Sequence, residues 1–100
     1  MTEKEKFVIR LKHYFPNIKL TESYMHFAYT FNQIDKDKKD LQEHHVIPRC
    51  CGGTNDDYNL VKVTFHHHRI LHRLILLSDG FTDEQLNKLK YAYYEMKRHH

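Results

Sequence analysis

The chain is 100 residues long, 40% hydrophobic and 13% aromatic, with three Gly and two Pro, a make-up that fits one globular unit with a small core and excludes a disordered or low-complexity protein. Sixteen Lys and Arg against thirteen Asp and Glu leave a formal charge of +3, which permits a nucleic-acid partner without establishing one. The N-terminal MTEKEKF carries no apolar signal-peptide core and no stretch reaches the roughly 18 to 20 apolar residues of a membrane span, so a cytoplasmic, intracellular protein with no membrane partner is expected.

Residues 3 to 14 place Phe7, Leu11 and Tyr14 at helical spacing with Val8 beside them, which predicts an amphipathic helix ending before Pro16. A second helix is predicted from the N-cap candidate Thr21, with Tyr24, Phe27, Ala28 and Phe31 as its apolar face. His13 and His26 read as surface or packing residues. From Asn32 to Asp40 the apolar pattern stops and DKDKKD alternates charge, the pattern of a solvated connection.

Leu41 to Ile47 suits a short strand, with β-branched Val46 and Ile47, and Pro48 bars its continuation in a central ladder. Gly52, Gly53 and the run TNDD form a turn, after which Leu60 to Val63 returns as the second strand of a hairpin. Thr64 can cap a helix running from Phe65 to about Leu77 and stopping near Gly80. Thr82 and Gln85 form a capping box for a last helix with Leu86, Leu89, Tyr93 and Met96 as its apolar stripe, and Lys97 and Arg98 close the end where cations are favoured. His99 and His100 are either native or part of a purification tag and receive no role. The expectation is a single α+β domain: a helical arm over 1–40, a hairpin-and-helix unit over 41–77 and a C-terminal helix over 82–98.

The chemistry concentrates between Glu43 and His72. Cys50 and Cys51 are sequence neighbours and read as turn residues, since they supply neither a disulfide framework nor CxxC zinc knuckles. His68 and His72 lie four residues apart, about 40° around a helix, and such a pair can hold one divalent ion. The hairpin offers His44 or His45 as a third ligand. Three protein ligands leave coordination positions for water or substrate, which suggests catalysis rather than structural closure. With ten histidines in the chain, an HH pair or an HxxxH is weak alone; the order HHVIPR, GG, NL, HxxxH within one hairpin-plus-helix length is what raises it. His66 and His67 read as helix-start residues. Arg49, Arg69 and Arg73 are candidates for phosphate contacts through their planar guanidinium groups, against the plainer reading of surface arginine, and Lys62 faces either DNA or solvent.

The stretch 43–74, EHHVIPRCCGGTNDDYNLVKVT followed by HxxxH, resembles the HNH nuclease motif, the ββα-metal finger of phage homing endonucleases, colicin nucleases and many restriction enzymes. The resemblance implies a metal-dependent endonuclease that hydrolyses phosphodiester bonds, with His45 as the general base, His44, His68 and His72 as metal ligands, and Asn59 as the asparagine that braces the hairpin and orients the base. A frame shifted by one would make Glu43 the ligand and His44 the base; His45 standing directly before Val46-Ile47-Pro48 selects the first frame. The resemblance implies one divalent ion as cofactor, among Zn, Mg, Mn and Ni, and imidazole ligands are less comfortable for Mg. DNA is the expected partner, with RNA also open to the same chemistry, and a homodimer or partner protein would extend the little surface available for reading sequence. Nicking and double-strand cutting both remain open. The leading alternative is a non-catalytic, zinc-stabilised nucleic-acid-binding module, and a third reading makes Tyr91, Tyr93 and Tyr94 a protein-contact surface.

Overall fold

Thr2 starts the first helix, its hydroxyl accepting the Glu5 N–H while the Glu5 carboxylate takes up the Thr2 N–H, a reciprocal cap that satisfies two otherwise free donors. This computed structural model describes residues 1–98, with side chains described as far as Met96; His99, His100 and the side chains of Lys97 and Arg98 lie outside what it describes. Helix α1 (Glu3–Tyr14) and helix α2 (Glu22–Asp35, capped by the Thr21 hydroxyl) form the helical arm, and Lys12 pairs with Glu22 between them. Strands β1 (Gln42–His45) and β2 (Leu60–Val63) pair antiparallel, with Gln42 opposite Val63 and His45 opposite Leu60. Helix α3 (Phe65–Ile75) follows at once, capped by Thr64, whose hydroxyl accepts the His67 N–H. Helix α4 (Asp83–Arg98) closes the chain, opened by the expected Thr82–Gln85 box. The result is a mixed α+β molecule with a two-stranded sheet and four α-helices.

The core joins all of these: Val8 and Leu11 from α1, Tyr24, Met25 and Ala28 from α2, Val46, Ile47, Val61 and Val63 around the hairpin, Leu71 and Ile75 from α3, and Leu89 from α4. Each such aliphatic side chain, fully buried, contributes about 1.5–3 kcal/mol. Among the described residues no helix is long and apolar enough to cross a membrane.

Several sequence expectations need correction. On α2 the buried face is Tyr24, Met25 and Ala28, so Phe27, expected in the core, is 47% exposed and packs sideways on Phe31. Tyr14 is half exposed and stacks on Tyr58 rather than entering the core. The strand expected over 41–47 pairs only over Gln42–His45, because Val46 and Ile47 are drawn off to Asn59, and α3 ends at Ile75 rather than Leu77. The segment from Asn32 is no simple solvated link. Helix α2 runs on to Asp35, Asn32 accepts the Lys62 N–H on the edge of β2, and Asp35 is fully buried.

Asp35 holds the start of α3 in place: its carboxylate accepts the Thr64 N–H at 2.9 Å and pairs with His67 Nδ1 at 2.6 Å and with Lys38 at 3.0 Å. His67 is also stacked flat on Phe31, 4.1 Å between ring centroids. Burial alone would push the Asp35 carboxyl up, but the Thr64 N–H, His67 and Lys38 outweigh it and bring it down to about 2.

Between the strands the chain makes a tight return. The backbone at Gly52 sits at φ 94°, and a Cβ on Gly53 would lie 1.7 Å from the Ile47 carbonyl oxygen, so both positions require glycine for different reasons.

Candidate metal centre

Strand alternation turns His44 inward, where it is 2% exposed, and leaves the neighbouring Glu43 exposed at the rim. The 3.6-residue period of α3 brings His68 and His72 onto the face that meets it. One ring nitrogen from each of His44, His68 and His72 lies within 4.8 Å of the others, close enough to hold a metal ion. Glu43 belongs to no such cluster among the described residues.

The hydrogen bonds at the far sides of these rings decide which nitrogens are available. The Tyr24 hydroxyl donates to the Val46 carbonyl at 3.0 Å and lies 2.6 Å from His44 Nε2. With its one hydrogen so committed, the tyrosine oxygen accepts, His44 carries its proton on Nε2, and His44 Nδ1 keeps a lone pair. That Nδ1 is buried without a hydrogen-bond partner, an orphaned acceptor that a cation would satisfy. Gln42 Oε1 lies 2.8 Å from His68 Nδ1; an amide oxygen only accepts, so His68 presents the Nε2 lone pair. His68 Nε2 and His72 Nε2 are 3.2 Å apart, near the about 3.3 Å edge of a tetrahedron with bonds of about 2.0–2.1 Å to zinc.

Burial disfavours charge on all three rings. It holds His44 well below the ordinary histidine value, with the neighbouring His72, His68 and His45 adding to the effect. It lowers His68 to about 4, assisted by His72 and His45, and His72 to about 4, assisted by His45. Neutral imidazole is the metal-binding form, so the pocket is set for a cation at neutral pH.

His45 lies beside the triad and outside it. Its Nε2 is 2.7 Å from Asn55 Oδ1, and it lines a cleft of about 380 Å³ together with Glu43, His44, His68, His72, Arg49 and Lys88. Arg69 and Arg73, named from sequence beside Arg49, are not among the residues that line this cleft. Asn59 is fully buried and its amide is spent on the hairpin: Oδ1 accepts the Ile47 N–H at 2.7 Å, and Nδ2 donates to Ile47 O at 3.0 Å and Thr54 O at 2.8 Å. The expected direct hold on His45 is not made by Asn59, because no hydrogen of its amide is left for it; the side chain in contact with His45 is that of Asn55.

Sequence reading missed Tyr24, Gln42, Asn55 and Lys88. None had a local signal: Tyr24 read as one more core aromatic, and Lys88 sits in α4, sixteen residues past His72, with nothing in the pattern to place it over the cleft.

Short stretches of the chain are similar to curated phage proteins. It is 47% identical over 34 residues to "Probable mobile endonuclease E" of Enterobacteria phage T4, covering 34% of this chain and 24% of that protein. It is 42% identical over 45 residues to "Probable mobile endonuclease D" of the same phage, covering 43% and 17% respectively. It is 50% identical over 34 residues to "Probable mobile endonuclease B", again of phage T4, covering 34% and 13%. The matches thus span no more than about a quarter of those relatives' own length. No family model matches the chain, and no solved structure matches it.

Proposed function

We propose that the chain is a divalent-metal-dependent DNA endonuclease of the HNH kind, a single domain in which hairpin and α3 form a ββα-metal core. The observation that carries this reading is the cleft itself: three neutral imidazoles converge beside a fourth, His45, that is not part of their cluster, with Arg49 and Lys88 on the walls. A purely structural zinc site has no use for that fourth imidazole. The similarity to phage mobile endonucleases supports nuclease chemistry and DNA as the substrate.

In this reading His44, His68 and His72 hold the ion. When bound it supplies positive charge to the scissile phosphate and the leaving oxygen. The nitrogen-only donor set favours zinc or nickel over manganese or magnesium. His45 takes a proton from the water that attacks phosphorus, and its other nitrogen stays protonated against Asn55. Arg49 and Lys88 hold phosphate oxygens, Arg49 through two parallel hydrogen bonds and Lys88 as a point charge. Arg69 and Arg73 would meet only flanking DNA. Asn59 keeps the turn that carries the base in shape. The same chemistry applies to RNA, and a homodimer or partner protein would supply the surface for site selection.

The direct test is cleavage of supercoiled plasmid by metal-stripped protein titrated with Mg²⁺, Mn²⁺, Ni²⁺ and Zn²⁺. Cutting that appears only with added ion supports the proposal, and nicked against linear product gives its mode. Stoichiometric metal binding with no cutting for any ion would instead point to a zinc-stabilised nucleic-acid-binding module.

A further inference from the structure

We infer that Asn55 is the positioning residue of the base: its side-chain oxygen fixes the tautomer and orientation of the His45 ring, whereas Asn59 acts on the backbone around the base and makes no contact with the ring. The inference rests on the nuclease reading for its consequence in cleavage, and on geometry for the rest.

An amide oxygen carries lone pairs and no hydrogen. At 2.7 Å from Asn55 Oδ1, His45 Nε2 must therefore donate, which puts the ring hydrogen on Nε2 and the lone pair on Nδ1. In water a free imidazole exchanges between its two neutral forms and rotates about two side-chain bonds. A single acceptor at hydrogen-bond distance removes both freedoms at once, which is what a group that must accept a proton at one defined atom requires.

Asn55 is exposed, so burial does not hold it; its neighbours in the chain do. The Thr54 carbonyl receives a hydrogen from Asn59 Nδ2 at 2.8 Å. The Thr54 hydroxyl donates to Asp56 Oδ2 at 2.7 Å, and the Tyr58 hydroxyl donates to the same oxygen at 2.8 Å. Tyr58 is in turn stacked on Tyr14 of α1, 3.9 Å between centroids and 12° between planes. Residues on both sides of Asn55 are thus pinned, one by the buried Asn59 and one by a carboxylate clamp anchored to the helical arm. Asn59 thus reaches the base from two sides, through the backbone of Val46 and Ile47 and through Thr54 and Asn55, and of these residues it is Asn55 whose side chain bonds the His45 ring.

This separates two asparagines that differ in what their loss does. Removing Asn59 leaves buried backbone groups of Ile47 and Thr54 unpaired and costs folding. Removing the exposed Asn55 leaves the fold and the metal ligands intact and frees only His45.

The test compares wild type with Asn55→Leu, which has similar shape and no acceptor, and Asn55→Asp, which keeps an oxygen acceptor. The first readout is the ¹⁵N spectrum of the His45 ring in metal-free protein, at a pH where the imidazole is neutral. Wild type and Asn55→Asp should show one tautomer with hydrogen on Nε2, and Asn55→Leu a mixture. Zinc affinity by calorimetry should stay unchanged among the three. Cleavage should fall about 10- to 100-fold in Asn55→Leu, as for other residues that orient an active-site imidazole, and return most of the way in Asn55→Asp. An unchanged His45 tautomer in Asn55→Leu, or an Asn55→Asp protein as impaired as Asn55→Leu, overturns the inference. A wild type that never cuts, yet whose His45 tautomer depends on Asn55, sustains the positional assignment and removes the nuclease reading alone.

Discussion

At the scale of single residues, this protein's chemistry is set by which nitrogen of each histidine bears hydrogen. Tyr24 settles that for His44, Gln42 for His68 and Asn55 for His45, each from outside the histidine motif. Tyr24→Phe keeps the buried ring and removes only the hydroxyl, so His44 Nε2 loses its partner and its Nδ1 lone pair is no longer guaranteed. Metal affinity measured by competition with a chelator should drop by about 10- to 100-fold, and because the buried Val46 carbonyl and His44 Nε2–H lose their partner, the metal-free protein should also lose about 1–3 kcal/mol in equilibrium denaturation. The depressed histidines also make the metal-free fold sensitive to acid. His68 and His72 titrate at about 4 when folded against 6.5 for an ordinary histidine. Between those values the unfolded chain binds more protons, so stability is full above about pH 6.5 and is lost as pH falls toward 4. Urea midpoints of metal-free protein across that range should decline steadily, and replacing both His68 and His72 by Gln should flatten the decline.

At the scale of elements, the helical arm does more than cover the hairpin. It delivers Tyr24 to the back of the three-histidine cluster and Asp35 to the N-terminus of α3, the helix that bears two of those histidines. Asp35→Ala leaves the Thr64 N–H and His67 without their carboxylate and should destabilise the protein by about 1–3 kcal/mol in equilibrium denaturation. Much of this level was legible beforehand. The helix starts at Thr21, Thr64 and Thr82 and the second strand could be read because caps and β-branched pairs are local signals. The HxxxH spacing placed His68 and His72 together for the same reason. What could not be read depended on packing between distant elements. Met25 and Phe27 lie about 200° apart on α2, so only one of them can face the core, and the packing of the hairpin against α2 decides that Met25 is buried and Phe27 exposed. DKDKKD looks like solvent-facing charge because nothing local marks its first aspartate as the one that α3 will cover.

At the scale of the whole molecule, the cleft is a joint product of hairpin, α3 and α4, and α4 contributes its cation from far along the chain. Lys88 pairs with Glu84 at 3.3 Å on the exposed side of α4, a contact easily exchanged for phosphate. Lys88→Ala should weaken DNA binding across sequences alike and reduce the slope of log affinity against log salt by about 1, whereas Arg73→Ala, outside the cleft, should change neither by as much. The +3 formal charge gives the whole protein only a weak field, so on the nuclease reading the affinity for DNA would come from Arg49, Lys88 and a metal ion at the cleft, set against the one carboxylate of Glu43.

The central claim is that His45 is an unligated imidazole acting as base beside a three-histidine metal site. It is tested most directly by His45→Ala, measured for metal stoichiometry and for single-turnover plasmid cleavage next to wild type. The account predicts one ion per chain in both proteins, with cleavage in the variant reduced by about 10²- to 10⁴-fold, the range a positioned acid–base group contributes. A His45→Ala protein that cuts at the wild-type rate, or that loses its metal along with its activity, would contradict it.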